Sequence, residues 1–132
     1  MIKTVDIIAL FLYCALIYWL SDQSSLPVAM LFSFQDKLIH LAAYFIMGTF
    51  AWRVFRHFFR SRQHLMFAIV AFCSLYGFLD EWHQSFVAGR SADFLDWLAD
   101  TAGDMLAAYL LTRLFPLQDF DLEQEEKDVQ NP

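Results

Sequence analysis

The stretch Leu65-Met66-Phe67-Ala68-Ile69-Val70-Ala71-Phe72-Cys73-Ser74-Leu75-Tyr76-Gly77-Phe78-Leu79, followed at once by Asp80-Glu81-Trp82-His83-Gln84-Ser85-Phe86, decides the fold. A helix that crosses a bilayer needs about 20 mostly apolar residues. The run from Leu65 to Leu79 is too short alone. It becomes long enough only if the helix continues through Asp80 and Glu81 to about Phe86. An acid carried into hydrocarbon is costly unless it is paired or hydrated, so it marks a functional site by default. The stretch therefore predicts a membrane span with chemistry at one end.

Three other runs have the required length. The first is about Val5 to Leu20, with a start as early as Ile2, and the second is about Leu38 to Phe55. The fourth is about Phe94 to Phe115, ended by Pro116, which cannot continue a helix. The predicted fold is all-α: an integral membrane four-helix bundle over residues 1–117, then an acidic tail over 118–132. The chain is 58% hydrophobic and has 15 Phe in 132 residues, more apolar surface than a soluble domain of this size can hide. The net charge of −6 is misleading, because Asp119 to Asp128 supplies −5 of it. That tail reads as solvated, disordered and cytoplasmic. No basic stripe suggests nucleic acid. Cys14 and Cys73 lie in apolar runs without metal-ligand spacing and read as small core residues. Tyr18-Trp19-Leu20-Ser21 offers no small-x-small cleavage site, so the first run reads as an uncleaved helix.

Basic residues set the expected direction. Arg53, Arg56, Arg60 and Arg62 fill the connection between runs two and three, and Lys3, Arg113 and Lys127 share their side, making seven of the nine Lys and Arg. The positive-inside rule then places this loop and both termini in the cytoplasm of a multi-pass protein of the bacterial plasma membrane. The loop's arginines also suit anionic lipid headgroups. Ser21 to Asp36 and the Gly89-Arg90-Ser91 connection face out, with Trp19, Trp82 and Trp97 near the outer boundary.

The outer side collects polar residues. Asp36, His40 and Tyr44 share one face of run two, with Lys37 beside Asp36 and Gly48 continuing the stripe. Tyr76, Asp80 and Gln84 share a face of run three, with Glu81 adjacent. Asp93, Asp96, Asp100 and either Gly103 or Asp104 share a face of run four. Asp93 and Asp96 also suit a helix N-cap. Asp104 lies about 12 Å below Asp96, too deep for capping. It needs a cation, a proton, a hydrogen bond or water, and the candidate cations are Lys37, Arg90 and a protonated His40. Acid–base pairs that simply clamp helices are the plainer alternative. No H-x-x-x-H or H-E-x-x-H spacing exists, so the spacing assigns no metal ligands, although carboxylates and imidazole suit several divalent ions. His83 reads as interfacial, and His57 and His64 belong to the basic loop. Asp6 and Asp119 look too isolated to complete a proton path across the membrane.

Asp36-Lys37-Leu38-Ile39-His40 with Tyr44, then Asp80-Glu81-Trp82-His83-Gln84-Ser85-Phe86, Gly89-Arg90, Asp96 and Gly103 closely resemble the VanZ-like family. These small membrane proteins are named after a protein associated with teicoplanin resistance. The resemblance runs from about Ser21 to Ala107. Ala88 stands where many members have Pro, Asp100 where many have Asn, and Ala107 where many have a second Gly. The resemblance implies a bacterial membrane protein and supplies no mechanism.

The leading expectation is an outward polar pocket for an anionic or polar headgroup, from a cell-envelope precursor or a lipid-linked phosphate. Its residues are Asp36, Lys37, His40, Tyr44, Asp80, Glu81, Gln84, Arg90, Asp96 and Asp100. Lys37 and Arg90 would hold an anion, and the acids and His40 would orient it or move protons. Membrane lipids are the expected surroundings; the sequence names no cofactor, protein partner or catalytic residue. Ser85 is a poor nucleophile candidate. The alternatives are an acid/base or metal-assisted enzyme on a lipid-linked substrate, and an accessory subunit whose cluster clamps helices or docks a partner.

Overall fold

The computed structural model describes residues 2–24 and 31–117, and among these the chain is four helices without strands. They are α1 (Ile2–Ser21), α2 (Gln35–Phe55), α3 (Arg62–Gln84) and α4 (Phe94–Leu114). The acidic tail lies outside the described residues.

Local chemistry explains the bounds. α2 starts ahead of its apolar run, so Asp36 and Lys37 sit in its first turn, where a carboxylate meets the positive end of the helix dipole. α3 starts earlier than the apolar run, at Arg62, and carries Asp80 and Glu81 within it. It stops at Gln84, two residues short of Phe86, and the chain turns through Gly89, whose φ of 82° favours glycine. Asp93 caps α4: its side chain accepts the Leu95 amide at 2.8 Å. Asp96 lies in the first turn without capping it.

The helices run up and down. α2, α3 and α4 pack on one another, while α1 lies against α2 and α3 only. Glycines bring α2 and α4 close. A Cβ on Gly48 would meet the Ala107 Cβ at 2.9 Å, and one on Gly103 would overlap the Leu41 carbonyl. Small residues at such a seam are how helices approach in lipid. Tyr13 donates to the Ala43 carbonyl at 2.9 Å and Tyr76 to the Cys14 carbonyl at 2.7 Å, tying α1 to the rest.

The distribution of polarity is inverted relative to a soluble domain. Asp6, Asp80, Glu81, Asp100 and Asp104 are buried, whereas Phe11, Phe67, Leu75 and Phe78 are more than half exposed. An apolar outer belt with acids inside suits lipid, where charged side chains face the bundle interior. By length and composition, α1, α2 and α3 can cross a membrane. α4 matches them in length but carries Asp96, Asp100, Asp104 and Arg113.

The bundle has a basic end and an acidic end. At the basic end Asp6 is 3% exposed, and it is not isolated as the sequence suggested. Arg53 donates from Nε to Asp6 Oδ1 at 2.9 Å, and its Nη2 lies 2.7 Å from the same oxygen. His57 Nε2 meets Asp6 Oδ2 at 3.0 Å. These contacts join residues 47 and 51 positions apart and carry no local signature. Arg56 stacks on Trp52, 4.5 Å from its ring centre.

Candidate functional site: the acidic end

Helix ends bring the sequence-selected residues to one place. Lys37 sits in the first turn of α2 and reaches three carboxylates. Its Nζ donates to Asp36 Oδ2 at 3.0 Å and to Asp93 Oδ2, and lies 2.8 Å from Asp96 Oδ1. The Lys37 ammonium, helped by the Leu95 amide, holds the Asp93 carboxyl below the usual carboxylate range. One turn along, His40 Nδ1 lies 2.9 Å from Asp100 Oδ1, and its Nε2 lies 3.8 Å from Asp96 Oδ2. Lys37 and His40 therefore stitch α2 to α4 along their parallel seam.

α3 supplies the third wall. Glu81 Oε2 accepts the Asp93 amide at 2.8 Å and so fixes the entry into α4. Asp80 Oδ2 accepts from Gln84 Nε2 at 3.2 Å, and Gln84 Oε1 accepts from Arg90 Nη2 at 2.9 Å. Arg90 thus rests on a neutral amide, and among the described residues no carboxylate pairs with it. Neither Asp80 nor Asp96 holds it.

The depth of the site is its least ordinary property. Asp100 and Asp104 are both fully buried, and Tyr44 is 1% exposed. Asp100 Oδ2, both oxygens of Asp104, Asp80 Oδ1, Glu81 Oε1 and the Tyr44 hydroxyl have no hydrogen-bond partner among the described residues. Buried polar atoms are usually satisfied, so a group of open ones marks a place that takes a proton, an ion, water or a ligand. Gly77 makes the room: a Cβ there would lie 3.1 Å from Asp100 Oδ2 and 3.2 Å from the Tyr44 ring. Gly77 and Asp104 complete the site without appearing in the motif. Glycine on the polar face of α3, one residue after Tyr76, was the available signal.

An apolar cleft of about 360 Å³ opens beside these groups between α3 and α4. Phe78, Trp82, Phe94 and Trp97 line it together with Glu81 and Asp93, and its exposed surface is almost wholly apolar. Trp97 is anchored by donation to the Ser74 carbonyl at 3.0 Å. Other candidates fall outside the cluster. Ser85 donates to the Trp82 carbonyl at 2.6 Å, with no base attached. His83 pairs with exposed Asp22 at 3.3 Å and packs on Tyr18.

The arrangement can exchange protons, coordinate a cation or accept hydrogen bonds from a polar group. No curated protein and no solved structure matches the chain. The family model described as VanZ/LLP1 matches residues 6–116, which contain every residue of this site and all of α2, α3 and α4. The chain belongs to the VanZ/LLP1 family.

Proposed function

We propose that this protein is a multi-pass protein of the bacterial cell membrane whose acidic end faces outward and binds the polar headgroup of a lipid-linked cell-envelope molecule. The cleft between α3 and α4 would take the apolar chain. The observation that carries this reading is the shared lining: Glu81 and Asp93 belong both to the polar cluster and to the wall of the aromatic cleft. An amphipathic ligand needs such an adjacency, with an apolar slot beside a few fixed polar groups. Arg90, whose hydrogen bond goes to a neutral amide, is the cation left for an anionic headgroup. Lys37 is already shared among three carboxylates and is the weaker anion ligand.

A second reading has its own support. Lys37 joins the start of α2 to the start of α4, as expected of an accessory subunit whose cluster clamps its helices. Native mass spectrometry of the full chain, released from membranes in mild detergent and chelator, separates the two. Binding predicts retention of a lipid-linked polar species, lost in Arg90→Gln at unchanged thermal midpoint. Retention of bulk phospholipid alone, in the proportions of the membrane, would contradict binding and leave the clamp.

A further inference from the structure

We propose that His40, Glu81 and Asp100 form a binding site for a divalent transition-metal cation of the Mn²⁺ or Zn²⁺ class. This goes beyond the headgroup reading and stands without it. Each of three helices contributes one ligand: His40 from α2, Glu81 from α3 and Asp100 from α4. One ligand atom from each lies within 4.8 Å of the other two.

The contacts already present approach coordination. His40 Nδ1 and Asp100 Oδ1 are 2.9 Å apart. That is about the spacing of two neighbouring ligands on an ion with bonds of roughly 2.1 Å. A modest inward movement of the Glu81 carboxylate closes the third position. Glu81 and Asp100 are 5% and 0% exposed, and Glu81 Oε1 and Asp100 Oδ2 have no hydrogen-bond partner among the described residues. A cation there satisfies oxygens that otherwise remain open in a low-dielectric site.

The surroundings fit the same ion. Asp96 Oδ2 lies 3.8 Å from His40 Nε2, beyond hydrogen-bond reach but near enough to accept its N–H after a small approach when Nδ1 binds the metal. Acids dominate the neighbourhood, with Asp80 and Asp104 deeper in the bundle, while Lys37 is shared among Asp36, Asp93 and Asp96. A divalent charge offsets that excess. One imidazole and two carboxylates select ions between the hard and soft extremes, and a three-ligand set leaves positions for water or a bound group.

The test uses the full-length protein in mild detergent, with Mn²⁺ alone as the probe. Equilibrium binding followed by electron paramagnetic resonance should show saturation at about one ion per chain, and pulsed spectra should carry a nitrogen coupling from His40. Asp100→Asn and His40→Ala should lower the affinity about 100-fold or more, and Asp96→Asn about 10-fold. Asp22→Asn, at the exposed pair with His83, should leave it unchanged. Zn²⁺ should displace the bound Mn²⁺. Absence of saturable binding would overturn the proposal, as would bound Mn²⁺ without nitrogen coupling, which places the ion on exposed carboxylates such as Asp36. Unchanged affinity in a folded Asp100→Asn variant would do the same. If the variants fail to fold, the nitrogen coupling of the wild-type protein decides alone.

Discussion

Asp6 and Asp104 are both acids sunk into an apolar bundle, at opposite ends, and their surroundings differ in kind. Each oxygen of Asp6 has a cationic or imidazole neighbour, from Arg53 and His57. Neither oxygen of Asp104 has a hydrogen-bond partner among the described residues, and Asp100 just above it is only half satisfied. The basic end closes a charge within the protein, and Arg56 and Arg113 there rest on the rings of Trp52 and Tyr109. The acidic end gathers more acids than cations and leaves oxygens open. A closed pair reads as anchorage, and an open group reads as a place for something to bind.

Asp6 carries the largest expected effect. Asp6→Ala strands His57 and Arg53, and the loss should be about 2–3 kcal/mol, below the value for a fully buried pair because the Arg53 side chain is 49% exposed. Thermal unfolding in detergent measures it, and a change under about 0.5 kcal/mol would remove the idea of a structural clamp there. Lys37→Met should cost less, about 1–2 kcal/mol, since Asp36 and Asp93 reach water and only Asp96, at 13% exposure, is left poorly hydrated. Asp104→Asn sharpens the contrast. Replacing a buried acid that has no partner should leave stability within about 0.5 kcal/mol of wild type or raise it. A loss as large as that of Asp6→Ala would mean that Asp104 is paired after all. Arg90→Gln should have the smallest effect on the thermal midpoint, under about 0.5 kcal/mol, because only one hydrogen bond to Gln84 is at stake. Its effect should appear in ligand retention instead.

The helices were legible because the apolar runs are long, and α1, α2 and α3 are long and apolar enough to cross a membrane. Phe94 and Pro116 bracket α4, and α3 continues through Asp80 and Glu81 as its short apolar core requires. The ends were less clear. Lys37 and Asp36 belong inside α2 although they precede its apolar residues, because an acid in the first turn favours the helix dipole. The gathering of polar residues at one end followed from helical spacing and alternation of direction. Which residue meets which did not follow. His40 faces Asp100 and Asp96 through a contact 60 residues apart, and Arg90 takes Gln84 rather than an acid. Spacing rules look along one helix, so they miss a ligand set drawn one residue each from α2, α3 and α4. They also miss Asp6, whose partners lie two helix lengths downstream.

Which way the bundle faces decides the matter, because a site for an outer headgroup needs the acidic end outside and the Asp6 clamp in the cytoplasm. Ser24→Cys and Ser61→Cys, made separately after Cys14→Ala and Cys73→Ala, report the two ends directly, since both serines are exposed. Intact cells are treated with a membrane-impermeant maleimide. An outward acidic end gives labelling at position 24 and none at position 61 until the cells are opened. Labelling at 61 with protection at 24 would turn the bundle over, place the acidic end in the cytoplasm and contradict the outward-facing site.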